Sequence, residues 1–215
     1  MPVSLKILLF AVTGTLLVPI CVFAHEGKPM LLPKPQIEGM PLMQILKERH
    51  STREFSAEKV PPQTLSNLLW AAFGINRPDG KRTAPSAHNW QELEIYVDMA
   101  DGLFLYDAKA NALQPILKED ARAATGTQDF VKDVPIDLIY VADLARVSGG
   151  SPEDKTLYTA IDTGVIVENV YLFCNSAGLA TVVRGSVDRA VLAKRMGLRA
   201  DQIIIVTQSV GLPKK

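Results

Sequence analysis

The sequence predicts one mixed α/β domain in which strands and helices do not alternate regularly. Apolar residues switch between helical spacing and strand alternation without a fixed order. Asp101-Gly102 is a tight-turn signal between two strand-like runs, so those runs pair as a hairpin. The longest helical segment, from Ser151 to about Ala177, is followed by only short strands and one further helix. A chain of 215 residues, 47% hydrophobic, fits one domain, two small ones at most, and can bury a core.

The start differs from the rest. Lys6 is the only charge in residues 1–24, Ile7–Phe23 is almost all apolar, and Val22-Phe23-Ala24 precedes His25. This pattern predicts a Sec signal peptide cleaved after Ala24, and hence a periplasmic protein. A retained membrane anchor ranks second and a lipoprotein signal at Cys21 third. Cleavage leaves a chain of about 190 residues with Cys174 as its lone cysteine, no internal disulfide, and no stable membrane span.

Residues 25–41, with Pro29, Pro33, Pro35 and Gly39, predict an extended arm before a domain at 42–215. Leu42, Ile45 and Leu46 form a short helical stripe ending near Arg49. Leu65, Leu68, Leu69, Ala72 and Phe73 predict a helix over Pro62–Phe73, with Pro61-Pro62 at its start and Gly74 as its C-terminal cap. Residues 74–91 read as loop. Leu93, Ile95 and Val97 alternate as a strand that turns at Asp101-Gly102 into Leu103–Tyr106. Ile136–Ala142 is a strand apolar enough to be buried. Ser151, Pro152, Glu153 and Asp154 form a strong helix start. Ile161, Val165, Ile166, Val170, Leu172 and Phe173 spread around that helix, which predicts a central or interface position and a dimer. Val182–Val183 is a short strand, Val187–Met196 a helix after Ser186, and Ile203–Val206 the last strand.

Balanced charge, 23 Lys+Arg against 23 Asp+Glu, excludes a general nucleic-acid binder. His25, His50 and His88 stand at no ligand spacing, and no metal site is predicted. Cys174 sits among apolar helix residues as an inert thiol. No P-loop, nucleophile elbow or dinucleotide fingerprint occurs. What remains is Arg49-His50-Ser51-Thr52-Arg53, two guanidiniums flanking a hydroxyl, which suits a phosphate, although from this segment alone a solvated basic turn is favoured. Lys214-Lys215, the loop Pro85–Gln91 and the glycine-bounded 178–185 stretch are further candidates.

The order of these features resembles the FMN-dependent nitroreductase family, in particular its subgroup related to thiazoline and oxazoline dehydrogenases. The resemblance runs from about Leu42 to Lys215 and is strongest in "LLWAAFGINRPDGKRTAPSAHNWQELEIYV" at 68–97. "DGLFLYD" at 101–107 and the terminal "VGLPKK" add to it. It implies an α+β sandwich, a mainly antiparallel sheet flanked by helices, in an intertwined homodimer with FMN at the interface. Arg49, His50, Ser51, Arg53, Lys214 and Lys215 would hold the phosphate and ribityl chain. Pro85, Ser86, Ala87 and Asn89 would reach the flavin, the first three in the partner subunit. Arg184 and Gly185 would lie at the ring, with the Gly185 amide near N5. The resemblance implies no catalytic side chain, because the flavin carries the chemistry in a ping-pong cycle from a small electron donor to a small acceptor. The donor stays open between NAD(P)H, a quinol, a redox protein and a small reductant. A flavin- or heterocycle-binding protein without turnover is the alternative.

Overall fold

The computed structural model describes residues 27–214; the predicted signal peptide, His25 and Lys215 lie outside them. Seven strands form one antiparallel sheet: β1 (Met30–Leu31), β2 (Leu93–Met99), β3 (Gly102–Asp107), β4 (Ala112–Leu117), β5 (Ile136–Asp143), β6 (Ala180–Arg184) and β7 (Gln202–Gly211). Their order is β1-β4-β3-β2-β5-β7-β6, so β6 and β1 are the edges. The four helices are α1 (Leu42–Glu48), α2 (Pro62–Phe73), α3 (Pro152–Ser176) and α4 (Arg189–Met196).

The two sides of the sheet follow from side-chain alternation along the strands. Leu93, Ile95 and Val97 of β2, with Ile136, Leu138 and Tyr140 of β5, pack with Leu68 and Leu69 of α2 and Ile166 and Val170 of α3. Tyr96, Ile139 and Val141 face the other way, onto Leu192 and Met196 of α4. The chain is therefore a layered α+β fold, with the predicted antiparallel hairpin β2–β3 beside the central strands.

α2 occupies the predicted span. Its cap residue Gly74 is extended rather than left-handed, with φ −71°. Glycine is required there because a Cβ would collide with the carbonyl oxygen and indole ring of Trp70. α3 carries the predicted start as a full capping box, Ser151 and Asp154 each bonding the other's backbone N–H. Gly178 follows its end at φ +68°, and Leu179 N–H reaches the Cys174 carbonyl at 2.7 Å, which closes the helix.

Three expectations need correction, and one strand carries no signal in the sequence. In α1 only Ile45 is buried; Leu42 and Leu46, read as one stripe with it, are exposed. β4 was not anticipated, because Pro115 argues against a central strand. It is tolerated because β1 pairs only with Ala112 and Leu113, so the missing N–H faces no neighbour. α4 starts at Arg189 under an Asp188 cap, whose carboxylate accepts from Val191 N–H, rather than after Ser186. β7 runs beyond Val206 through Thr207, Gln208 and Ser209, three polar side chains that are fully buried. Each is matched: Tyr140 donates to Gln208 at 2.6 Å, Ser209 to Asp137 at 2.6 Å, and Thr207 to the Thr125 carbonyl at 2.9 Å.

The buried side of β2 also holds an acid. Asp98 accepts only from Ala121 N–H, its other oxygen has no partner among the described residues, and burial pushes its carboxyl up to about 8. The unfolded chain ionises near pH 4 while the folded one does not, so folded stability falls as pH rises from about 4 to about 8. Urea unfolding across this range is expected to lose a few kcal/mol on account of Asp98, at about 1.4 kcal/mol per unit. Asp98→Asn should remove that share; an unchanged pH slope in the variant would refute the assignment.

Candidate functional site

α1 ends at Arg49, and residues 49–53 then run along the sheet edge. Thr52 N–H donates to the Thr181 carbonyl of β6 at 3.1 Å. The chain terminus arrives beside this segment: Phe55 bridges Pro213, Ser56 N–H donates to Leu212 O at 2.8 Å, and Lys214 N–H to Glu54 O at 3.2 Å. Residues some 160 positions apart thus become neighbours. Arg53 and Lys214 line one cleft of about 460 Å³ with Glu54, Asp133, Phe55 and Phe130, the two phenyl rings stacked at 5.8 Å. Among the described residues, Arg49, Arg53 and Lys214 have no carboxylate within 4 Å. Arg53 and Lys214 thus share a cleft with Glu54 and Asp133 without pairing to either, which leaves their donors open to an anion.

Tyr171 organises this end and was not singled out from sequence. Its ring lies under the Arg49 guanidinium at 5.3 Å, and its hydroxyl accepts from Val183 N–H at 3.0 Å. The same hydroxyl is 2.8 Å from Ser51 Oγ. Either hydroxyl can be the donor; in the arrangement where the phenol proton goes to Ser51, the serine proton is free to donate outward. Its partners lie 12 and 120 residues away, so no local pattern announces it. Tyr171→Phe is expected to cost about 1–3 kcal/mol of stability, because Val183 N–H and Ser51 both lose a partner. Equal urea midpoints for variant and parent would show that the hydroxyl holds nothing.

His50 is exposed, and its Nδ1–H donates to the Glu48 carbonyl at 2.8 Å, leaving Nε2 as an acceptor.

The Pro85–Gln91 loop carries backbone strain. His88, Asn89 and Gln91 adopt φ of 52°, 55° and 47°, where non-glycine residues are uncommon. Ser86 Oγ donates to Glu92 at 3.1 Å and accepts from Gln91 N–H at 2.9 Å. Ala87 N–H donates to Asp162 of α3 at 2.8 Å. The Ser86 proton and Ala87 amide are therefore spent inside the protein. Asn89 accepts from Gln91 with its oxygen, which frees its amide NH₂ to donate. His88 lies 4.8 Å from Trp90 and edge-on to Tyr158 at 5.7 Å.

The structure does not bring this loop to the cationic end. Its anchor Asp162 and the anchor Tyr171 are nine residues apart on α3, about 13 Å along the axis.

Arg184 corrects an expectation. Its side chain is 2% exposed and points into the fold, bonded to Asp137 at 2.7 Å and to Thr125 O at 2.8 Å. A guanidinium so occupied is not available to a ring at the surface. Gly185 follows on the exposed side with open space where a Cβ would stand, and among the described residues its N–H has no acceptor.

A model of the nitroreductase family matches residues 46–212, which is most of the chain. The chain belongs to the nitroreductase family. A protein of Methanocaldococcus jannaschii described as a candidate nitroreductase is 32% identical over 170 residues, 74% of this chain and 86% of that one. The crystal structure of a candidate nitroreductase from Ralstonia eutropha JMP134 is 41% identical and superposes with a TM-score of 0.84, covering 88% of this chain and 91% of its own. A more distant family structure, from Desulfovibrio desulfuricans and crystallised with FMN, shares the fold at 20% identity and a TM-score of 0.61, covering 83% and 89%. The sheet with its four helices is thus the nitroreductase fold.

Proposed function

We propose that the chain is an exported, FMN-dependent oxidoreductase that works as a homodimer and passes electrons to a nitroaromatic, a quinone or another small heterocycle. Two observations carry this reading: the bridge between Phe55 and Pro213 sets Lys214 beside Arg53 in one cleft, and Tyr171 holds Arg49 and Ser51 at the same end of the chain segment 49–53. Three unpaired cations and an outward-donating hydroxyl suit a dianionic phosphate, and each charge-assisted bond contributes about 1.5–3 kcal/mol. The residues present therefore fit FMN. Arg49 and Arg53 would grip the phosphate, Ser51 would donate to it through the Tyr171 relay, and Lys214 with Lys215 would close the clamp. His50 would stand beside the ribityl chain.

FMN, when bound, supplies the two-electron chemistry. The protein's own part is to bind, orient and donate hydrogen bonds. The free Asn89 amide and the open Gly185 N–H are the donors suited to ring atoms. Pro85, Ser86 and Ala87 would contact the ring through carbonyls, a serine lone pair and apolar surface, since their protons are spent internally.

The 13 Å between the two halves of the site supports a dimer, in which the loop of one chain completes the cationic end of the other. Leu157 and Ile161 of α3, 55% and 50% exposed, supply apolar surface for that contact. Export rests on the apolar stretch and small residues of 1–24. Within the family, resemblance in the 68–97 block is the ground for proposing the subgroup related to thiazoline and oxazoline dehydrogenases.

An absorption spectrum of the purified protein tests the proposal. A flavin band near ~450 nm, as purified or after reconstitution with FMN, is expected. Failure of both would sink it. Reduction by dithionite followed by reoxidation with a quinone or nitroaromatic then separates turnover from mere binding.

A further inference from the structure

The Ser86–Gln91 turn is strained at three positions, yet it is pinned at two consecutive residues by two different carboxyl groups. Ser86 Oγ donates to Glu92, and Ala87 N–H donates to Asp162. Glu92 is fully buried, and its Oε1 has no donor among the described residues. Asp162, itself only 6% exposed, holds the residue next to the one that Glu92 holds, so two buried carboxyls converge on adjacent residues of the turn.

Two carboxylates this close and this buried repel, and a donor-less carboxylate oxygen compounds the cost. One proton removes both penalties. Placed on Glu92 Oε1, it becomes a donor toward Asp162, whose Oδ2 keeps the amide of Ala87. Burial and the neighbouring Asp162 both push the Glu92 carboxyl upward. No cation reaches it. Arg146 is spent on Glu94, Asp143 and the Gln91 carbonyl, and Arg199 on Asp143 and Asp201. Arg82 is spent on the Gln91 side chain and the Phe73 carbonyl, and His88 packs on Trp90 and Tyr158.

We infer that Glu92 and Asp162 act as one acid, sharing a single proton, and that this pair is the positioning device that holds the strained Ser86–Gln91 turn with Asn89 presented outward. Loss of the proton puts two negative charges under the turn, and their repulsion drives apart the two carboxyls that fix Ser86 and Ala87. The effect on cofactor binding rests on the FMN reading above; the shared proton does not.

Infrared difference spectra of the cofactor-free protein at neutral pH test the pair directly. The wild-type protein should show the C=O stretch of an un-ionised carboxylic acid that is missing from Glu92→Gln. The acid of Asp98, unaffected by the substitution, serves as an internal reference. FMN titrations give the second readout. Wild-type affinity should fall about tenfold as the pH is raised past the titration of Glu92. Glu92→Gln keeps the donor to Asp162 and the acceptor for Ser86, so it should bind as tightly at neutral pH and lose the pH dependence. Glu92→Ala should bind weakly throughout. A missing acid band, or a Glu92→Gln variant as impaired as Glu92→Ala, would overturn the inference. An acid band in a protein that never binds FMN would uphold the pair and sink the flavin reading instead.

Discussion

Arg184→Met is expected to cost about 3–5 kcal/mol of folding stability, since it strands a buried charge partner. Asp137 is fully buried and accepts from Arg184, Ser209 and Thr125. Burial pushes its carboxyl upward, and the guanidinium and hydroxyl donors work against that shift. Without Arg184 the carboxyl must keep an uncompensated charge or take up a proton, so the loss in urea unfolding should shrink at low pH, where the proton is supplied. Arg184 also ties β6 to the Thr125–Gln128 turn, which closes over it so tightly that a Cβ at Gly126 would collide with the guanidinium. The pair Arg184→Met with Asp137→Leu should recover part of the loss, because removing both partners leaves no orphan charge. A single variant as stable as the parent at neutral pH would show that the ion pair is dispensable.

Arg49→Ala combined with Arg53→Ala is expected to weaken FMN binding by at least ~100-fold. Neither side chain has an internal carboxylate partner among the described residues, so the fold should persist while the phosphate loses its planar donors. The measurement is a fluorescence titration with FMN, alongside circular dichroism to verify folding. Titration with riboflavin separates the effects further: it lacks the phosphate, so its affinity should be nearly the same in variant and parent. A folded variant that binds FMN as tightly as the parent would remove the phosphate assignment.

Both predictions concern arginines that look alike in the sequence. Arg49, Arg53 and Arg184 each lie near small or hydroxyl residues, and nothing local separates a surface cation from a buried one. The distinction arises because Asp137 of β5 and Arg184 of β6 both flank β7, which lies between their strands in the sheet. That adjacency is a property of strand order, which is decided by long-range pairing rather than by neighbours in sequence. Tyr171 and Asp162 escaped for the same reason: both read as turns of a mostly apolar helix, and their roles depend on what docks against them.

Local chemistry along the chain set the individual elements. Capping residues fixed both ends of α3, helical spacing fixed α2, and a tight turn fixed the β2–β3 hairpin, because each depends on residues within one or two turns of chain. It also marked the 49–53 cations and the 85–91 loop as the places to look. Only the tertiary structure decided which of those groups remain free. It set Lys214 beside Arg53, turned Arg184 inward, spent the Ser86 proton and the Ala87 amide on buried carboxyls, and held the loop and the cationic end apart along one helix. The physical reason is that a polar group's availability is what remains after the fold has satisfied its buried donors and acceptors, and that accounting runs through space.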